Sequence, residues 1–387
     1  MNNPINHEAS IMSWLDQQRP AMTALLEKLV YIDSGSYNKV GVDAVGVAIE
    51  EWFAAEDIPT DRVPHGDFGD CIRAHVTGGE GNRPIMLMGH RDTVFPDGTA
   101  TERPFHVDGD IAYGPGVADM KAGLVMNAFV LAAFKRFGGA PYPLLGLYTS
   151  DEEIASPSSR PVIENEAKTA RVVFNAEPGR ESGNVVIGRK GASFFKFQVN
   201  GKPAHSGGRP EQGISAIEEL ARKIQALHAL TDFESGTTVN VGLIGGGSAV
   251  NMVAPFATAE VDVRFKTMEA RDAVWVQINE ILETTHLPGT STEIVEHRGF
   301  LPLQQSAESK EVFDLYVASG AEVGLKIAGE FSGGSADSGF TAQVGAPTVC
   351  ATGPIGGNAH TPEEFMRLDT MVPRAKTVAL SILRLNR

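Results

Sequence analysis

Cysteine is scarce: the 387 residues include only two, Cys71 and Cys350. Two distant thiols build no disulfide framework, which excludes a cross-linked secreted miniprotein and makes a reducing compartment the default. Basic charge is also in short supply. Asp and Glu total 48 against 33 Lys and Arg, a formal charge of −15. Nucleic acid and anionic membrane both require a basic face, so neither is expected as the main partner. Long apolar runs are missing as well. The longest, Leu124–Phe134, contains Asn127 and is too short to cross a bilayer. Near the N-terminus, Glu8 and Asp16 fall where the core of a secretory signal would lie, so no leader is expected. Repeats, low-complexity tracts and long linkers are absent from the sequence. Membrane protein, collagen and coiled coil are thereby set aside, and a cytoplasmic enzyme is the expectation.

What is present is an ordinary globular composition, 42% hydrophobic and 21% charged. At roughly 150 residues per domain, the length suits two or three domains. Apolar residues at Leu25, Leu26, Leu29 and Val30, after Pro20, predict one helix; Val45, Ile49, Trp52 and Phe53 predict another. Short buried-strand runs then alternate with helical segments: PIMLMG at 84–89, LLGLYT at 144–149, RVVFNA at 171–176 and APTVCA at 346–351. A helix is predicted from about Lys121 to Phe137 and a last one near 372–385. This is the pattern of an α/β fold with a mostly parallel sheet flanked by helices.

The middle of the chain differs. A strand at 189–199, a helix at 213–230, strands at 237–244 and 256–266, a helix at 268–284 and a strand at 291–297 follow one another. That order is ferredoxin-like α+β. It predicts a domain at 187–299 inserted into a larger one made of 1–186 and 300–387.

Ligands of an open parallel sheet bind beyond the carboxyl ends of its strands. There the sequence places His90 and Asp92 after the first run, Asp151, Glu152 and Glu153 after the second, Glu177 after the third and His360 beyond the fourth. Asp119 precedes a helix in GPGVADMKAG. Any one of these alone is more often a cap, a turn residue or a solvated charge. Together they are not, because converging carboxylates repel and resist ionisation unless cations neutralise them. Two histidines with three or four carboxylates suit zinc, bound at about 2.0–2.2 Å. The donors exceed one tetrahedral site and fit two ions about 3.5–4 Å apart that share a carboxylate. Asp92 is placed to accept the second imidazole N–H of His90.

Other readings are weaker. GPGVADM puts Asp119 where a dinucleotide loop needs its third glycine. GGGSAVN at 245–251 lacks the lysine of a phosphate loop. No nucleophile-elbow pattern surrounds a serine. His7, His65, His75, His106, His228, His286 and His297 sit in no such motif.

The runs MGHRDTV, GPGVADMKAG, TSDEE, AEP, GKPAHSGG, FSGGSAD and NAH, in this order across nearly the whole chain, resemble the dinuclear zinc metallopeptidases and deacylases. That family includes glutamate carboxypeptidase, succinyl-diaminopimelate desuccinylase, acetylornithine deacetylase and aminoacylase. The resemblance implies a zinc exopeptidase-like fold whose inserted domain is a lid and dimerisation domain. It implies that His90, Asp119 and Glu177 hold one zinc and Asp119, Glu153 and His360 the other, with cobalt or manganese as substitutes. Glu152 would be the general base. His205, in the GKPAHSGG loop, would stabilise the oxyanion across a homodimer interface. Arg264, with Gly333 and Gly334 of the FSGGSAD loop, would bind the substrate carboxylate, and Asn240 would be the substrate-binding asparagine of the lid.

Residues 86–131 look most like the glutamate carboxypeptidases, so the expected reaction is release of a C-terminal amino acid such as glutamate from a peptidyl or N-acyl substrate. The alternative is an N-acyl-amino-acid deacylase of the acetylornithine or succinyl-diaminopimelate type. A binding protein that has lost catalysis is disfavoured because Glu152 accompanies all five ligand positions.

Overall fold

The computed structural model describes residues 7–79 and 81–385. Two compact units are present: one comprises the chain up to Gly188 with 305–332 and everything from Ala336 on, the other Arg189–Gln304 with Gly333–Ser335. The second unit thus runs slightly past the expected 187–299. One reason is that Arg189 and Leu303 exchange backbone hydrogen bonds, each 3.1 Å, which ties its two ends together.

The sheet of the first unit has eight strands, in the order Thr60–Val63, Cys71–Val76, Leu144–Thr149, Ile85–His90, Val172–Asn175, Thr348–Cys350, Val185–Arg189 and Gly329–Ser332. Its four central strands are parallel. Those at 60–63 and 71–76 are antiparallel to their neighbours, and 185–189 is antiparallel to Thr348–Cys350. The sheet thus has the expected parallel centre flanked by helices, with antiparallel strands added toward its edges, which makes it mixed as a whole. The sequence concealed the outer strands because CIRAHV is not a continuous apolar run. Its Arg73 bonds to Asp61 and Glu166 at 2.8 and 2.9 Å, in keeping with a partly solvated edge.

Every residue of Ile85–His90 and of Leu144–Thr149 is buried. The helix Ala122–Phe137 packs on both strands and is itself covered by His7–Leu15, Arg19–Val30 and Met371–Arg384. Residues 122 to 134 are buried without a break, so this helix carries no polar face. With the turn before it, Val117–Phe137 is, among the described residues, the one helical stretch long and apolar enough to cross a membrane, longer than the run the sequence suggested. Its apolarity has a different cause: 94% of its most apolar window is buried inside the unit. Asn127 is reconciled by donating to the Met88 carbonyl at 3.2 Å. Near the start of this helix a Cβ on Gly123 would collide with the Ala176 carbonyl oxygen. The glycine lets the segment bearing Asp119 approach the strand end that carries Glu177.

A small sheet completes the first unit, in the order Gly356–Gly357, Phe365–Arg367, Ile111–Tyr113 and His106–Asp108. Strands of two or three residues leave almost no sequence signal. Their pairing of Phe365 with Tyr113 and Arg367 with Ile111 sets the loop of His360 beside the loop of Asp119.

The second unit is an antiparallel sheet in the order Thr238–Gly246, Phe256–Phe265, Gly191–Asn200 and Ser291–Phe300, the ferredoxin-like arrangement. Alternation gives it one apolar face, with Phe195, Phe197, Val199, Val261 and Val263 packed among Leu220, Leu227, Val274 and Ile278 of its two helices. Ser215 accepts from the Glu218 N–H at 3.2 Å and Thr267 from the Ala270 N–H at 3.1 Å, caps that start these helices at Ala216 and Met268.

Candidate metal centre

The centre lies at the carboxyl ends of the parallel strands. His90 ends its strand, and its Nε2 sits 3.2 Å from Asp119 Oδ1, 3.6 Å from Glu177 Oε1 and 3.9 Å from Glu152 Oε2. The other oxygen of Asp119, Oδ2, is 3.3 Å from His360 Nε2, which is 3.2 Å from Glu153 Oε2. Two groups of ligand-type atoms result, His90–Asp119–Glu177 and Asp119–Glu153–His360, each with all its atoms within 4.8 Å of one another. Asp119 is common to both.

The surroundings hold these side chains in place. Asp92 is fully buried. Its Oδ1 accepts from the Glu152 N–H and its Oδ2 from the Glu153 N–H, both at 3.1 Å, and from Ser36 Oγ at 2.6 Å. His90 Nδ1 lies 3.0 Å from the backbone oxygen of Asp92 and 3.3 Å from its carboxylate, so the imidazole N–H is met by Asp92 mainly through its main chain. Glu152 and Glu153 open a short helical turn, Glu152–Ile154, where successive side chains take different directions. His360 adopts φ +64, an uncommon conformation for a residue with a Cβ and one that ligand sites favour.

Two contributors escaped the sequence reading. Glu364 is fully buried and accepts three backbone N–H bonds, from Gly116 at 2.8 Å, Ala118 at 2.8 Å and Asp119 at 2.9 Å. It fastens the loop that presents Asp119. Its only trace in the sequence is an acid four residues after His360. Asp337, from the FSGGSAD run, is buried and accepts from Ser156 Oγ at 2.5 Å, steadying the turn that follows Glu153.

The electrostatics call for a cation. Burial raises Glu152 well above the ordinary carboxylate range and Glu153 to about 7. Asp119 and Glu153 in turn push His360 up to about 10. Burial also opposes the charge on Asp119, but His360 and His90 overcome it and hold its carboxyl low. His90 Nε2, Asp119 Oδ1 and Glu153 Oε1 are buried yet make no hydrogen bond, although such atoms nearly always have a partner. A nitrogen and oxygen donor set with open, inward-facing atoms fits a divalent transition metal such as zinc.

The remaining candidates belong to the second unit. Arg264 is paired with Asp262, Nε to Oδ1 at 2.7 Å and Nη2 to Oδ2 at 3.0 Å, and stacks over Phe194. Its Nη1 donates to Ser335 Oγ at 3.3 Å, so the structure brings Arg264 beside the run that contains Gly333 and Gly334. Asn240 is exposed and lies opposite Asp262 in the ladder. His205 is exposed, and its Nδ1 accepts from the N–H groups of Gly207 and Gly208 at 3.1 and 3.0 Å. In the neutral ring the proton therefore sits on Nε2, which is left as a donor.

Comparison with known proteins agrees with this chemistry. The chain is 29% identical over 372 residues to carboxypeptidase G2 of Pseudomonas sp. (strain RS-16), covering 95% of this chain and 89% of that one. It is 30% identical over 256 residues to the acetylornithine deacetylase of Myxococcus xanthus, covering 60% and 64%. Its fold is that of an M20 family metallo-carboxypeptidase from Sulfolobus solfataricus, with a TM-score of 0.77 at 19% identity over 94% and 98% of the chains. A tripeptidase from Staphylococcus aureus gives 0.76 at 24% over 95% and 98%. Residues 86–384 match Peptidase family M20/M25/M40. The chain belongs to that family and is a metal-dependent hydrolase of amide bonds.

Proposed function

We propose that this chain is a cytoplasmic, homodimeric carboxypeptidase with two zinc ions per subunit, releasing a C-terminal amino acid such as glutamate from a peptidyl or N-acyl partner. The observation that supports it most is the division of Asp119, whose Oδ1 faces His90 and whose Oδ2 faces His360. One carboxylate so placed serves two ligand sets, His90 and Glu177 on one side, Glu153 and His360 on the other. When bound, the ions polarise the scissile carbonyl and acidify the attacking water.

The residues of the chain do the rest. Glu152, left out of both ligand groups, takes the proton of the attacking water as the oxygen–carbon bond forms. It then delivers that proton to the nitrogen as the carbon–nitrogen bond breaks. Its raised proton affinity suits a base that must afterwards act as an acid. Asp92 keeps His90 and the Glu152–Glu153 turn in register. His205 offers its Nε2 proton to the developing oxyanion, in trans across the proposed homodimer. Arg264 binds the substrate carboxylate together with Asn240, Gly333 and Gly334. Because Asp262 already occupies two of its N–H groups, the substrate engages Nη1 or displaces Asp262.

The test is hydrolysis of an acyl-glutamate and of its α-amide by zinc-loaded protein, read by amine release. Strong preference for the free acid, weakened in Arg264→Ala, is expected. Equal cleavage of both by the wild type overturns the carboxylate role. A second reading, deacylation of an N-acetylated amino acid such as acetylornithine, draws support from the acetylornithine deacetylase relatives. Faster release of acetate from acetylornithine than of glutamate from any acyl-glutamate would favour it.

A further inference from the structure

We propose that a cleft beside the metal centre is the subsite for the acyl side of the scissile amide, and that it accepts a neutral apolar acyl group, aromatic by preference, and excludes an anionic one. This rests on the proposed function only in taking the substrate to be an N-acyl amino acid or peptide. The cleft has a volume of about 560 Å³ and is walled by Gly35–Asn38, by Thr93–Asp97 and by Glu153 and Ile154. Ligand pockets of that size hold a drug-sized group. Glu153 belongs both to this wall and to a ligand group of the centre. A group seated here is therefore adjacent to the reacting carbonyl.

The walls decide which group. Tyr37 and Val94 are 72% and 41% exposed, and Phe95, Pro96 and Ile154 continue the apolar lining. The Tyr37 ring leans on Phe68, centroids 6.2 Å apart, and Arg103 stacks on the outer Phe95 ring at 4.6 Å. The aromatic walls are thus held in position, and a flat apolar group would cover surface that is otherwise in water.

The polar side chains in the walls are already committed. Asn38 accepts from the Gly41 N–H at 2.9 Å and donates to Asp97 at 2.7 Å, and Ser36 donates to Asp92 at 2.6 Å. Among the described residues that line the cleft there is no lysine, arginine or histidine; the carboxyl groups are Asp97 and Glu153. Nearby cations are spent elsewhere. Lys39 is bonded to the Phe68 carbonyl and to Asp70, and Arg103 donates to the Pro362 carbonyl. An anionic acyl group would lose its water, find no basic side chain in the lining and face Asp97.

The experiment measures kcat/KM of the zinc-loaded protein on N-benzoyl, N-acetyl and N-succinyl derivatives of glutamate and of alanine. Benzoyl should exceed acetyl by about 10- to 100-fold, the scale on which apolar pockets discriminate, and succinyl should not exceed acetyl. The order should be the same for both released amino acids. Tyr37→Ala should reduce the benzoyl-to-acetyl ratio by about tenfold, and Val94→Lys should raise succinyl relative to benzoyl. Both positions are exposed, so folding is retained. Succinyl equal to benzoyl in the wild type, or a ranking that neither variant alters, overturns the cleft. Alanine derivatives cleaved as well as glutamate ones, with the acyl order intact, would remove the glutamate preference and leave the cleft standing. Hydrolysis of none of the six overturns both.

Discussion

Replacing Glu364 by Gln tests how the metal centre is held together, because this residue touches neither ligand group through its own donor atoms. Its Oε1 accepts from Ala118 and Asp119 and its Oε2 from Gly116. An amide can keep the first two bonds by turning its oxygen toward them. Its NH2 must then face the Gly116 N–H, donor against donor, inside a site with no access to water. Hydrogen bonds to a charged group contribute about 1.5–3 kcal/mol each, and a buried donor left unsatisfied costs about 1–3 kcal/mol. The two together are expected at about 2.5–6 kcal/mol, shared between stability and the geometry of Asp119.

Supporting residues of metal sites typically govern about 10- to 100-fold in affinity, and that is the predicted weakening. Zinc titration against a competing chelator, the visible spectrum of the cobalt-substituted protein and thermal melting with and without metal would measure it. The cobalt spectrum separates displacement of Asp119 from general destabilisation, since only the former alters the ligand field. Glu364→Asp, one methylene shorter, should not rescue. Wild-type metal affinity and an unchanged cobalt spectrum in Glu364→Gln would refute the fastening role.

Glu152→Gln should keep both metals and lose about 10²–10⁴-fold in turnover, whereas Glu153→Gln should lose metal; metal analysis beside kinetics detects a reversed pair. Stability of the metal-free protein should fall as pH rises from about 5 to 9, because the folded state holds protons that the unfolded chain has released. Burial raises Glu153, Asp337 and Glu364 each to about 7, so the two glutamates act between about 4.5 and 7 and the aspartate from about 3.8 to 7, while His360, raised to about 10, acts from about 6.5 upward. Zinc displaces the protons on Glu153 and His360, so the gain in melting temperature on adding zinc should grow with pH. An apo protein whose melting temperature is level or rises across this range contradicts the argument. Cys71 is fully buried, and its thiol is pushed up to about 11 by burial. It should therefore resist a disulfide reagent at pH 8 until the protein unfolds, and rapid labelling of the native chain would disprove this. Finally, His205→Ala mixed with Glu152→Gln should regain activity if subunits exchange and His205 acts in trans; no recovery after verified exchange removes that role.

Most of the ligand-type residues are legible in the sequence because they follow buried strand runs, and parallel strands deliver their carboxyl ends to one edge. His90, Glu152, Glu153 and Glu177 are local consequences of IMLMGH, LLGLYT and VVFN. The ferredoxin-like order of the second unit was legible for the same reason: alternation, caps and spacing are local properties. Other features lie beyond local pattern. That the large sheet is mixed depends on Cys71–Val76, whose polar alternation resembles a loop as much as a strand. That Asp119 turns one oxygen to each histidine depends on a three-rung pairing of three-residue strands and on Glu364, which acts across 245 positions of sequence. The pairing of Arg264 with Asp262 is two residues long, yet either could have faced solvent alone. Strand and helix content follow from neighbouring side chains and were determined by the sequence directly; the sharing of a carboxylate and the commitment of a guanidinium are properties of distances in space, and only the folded chain decides them.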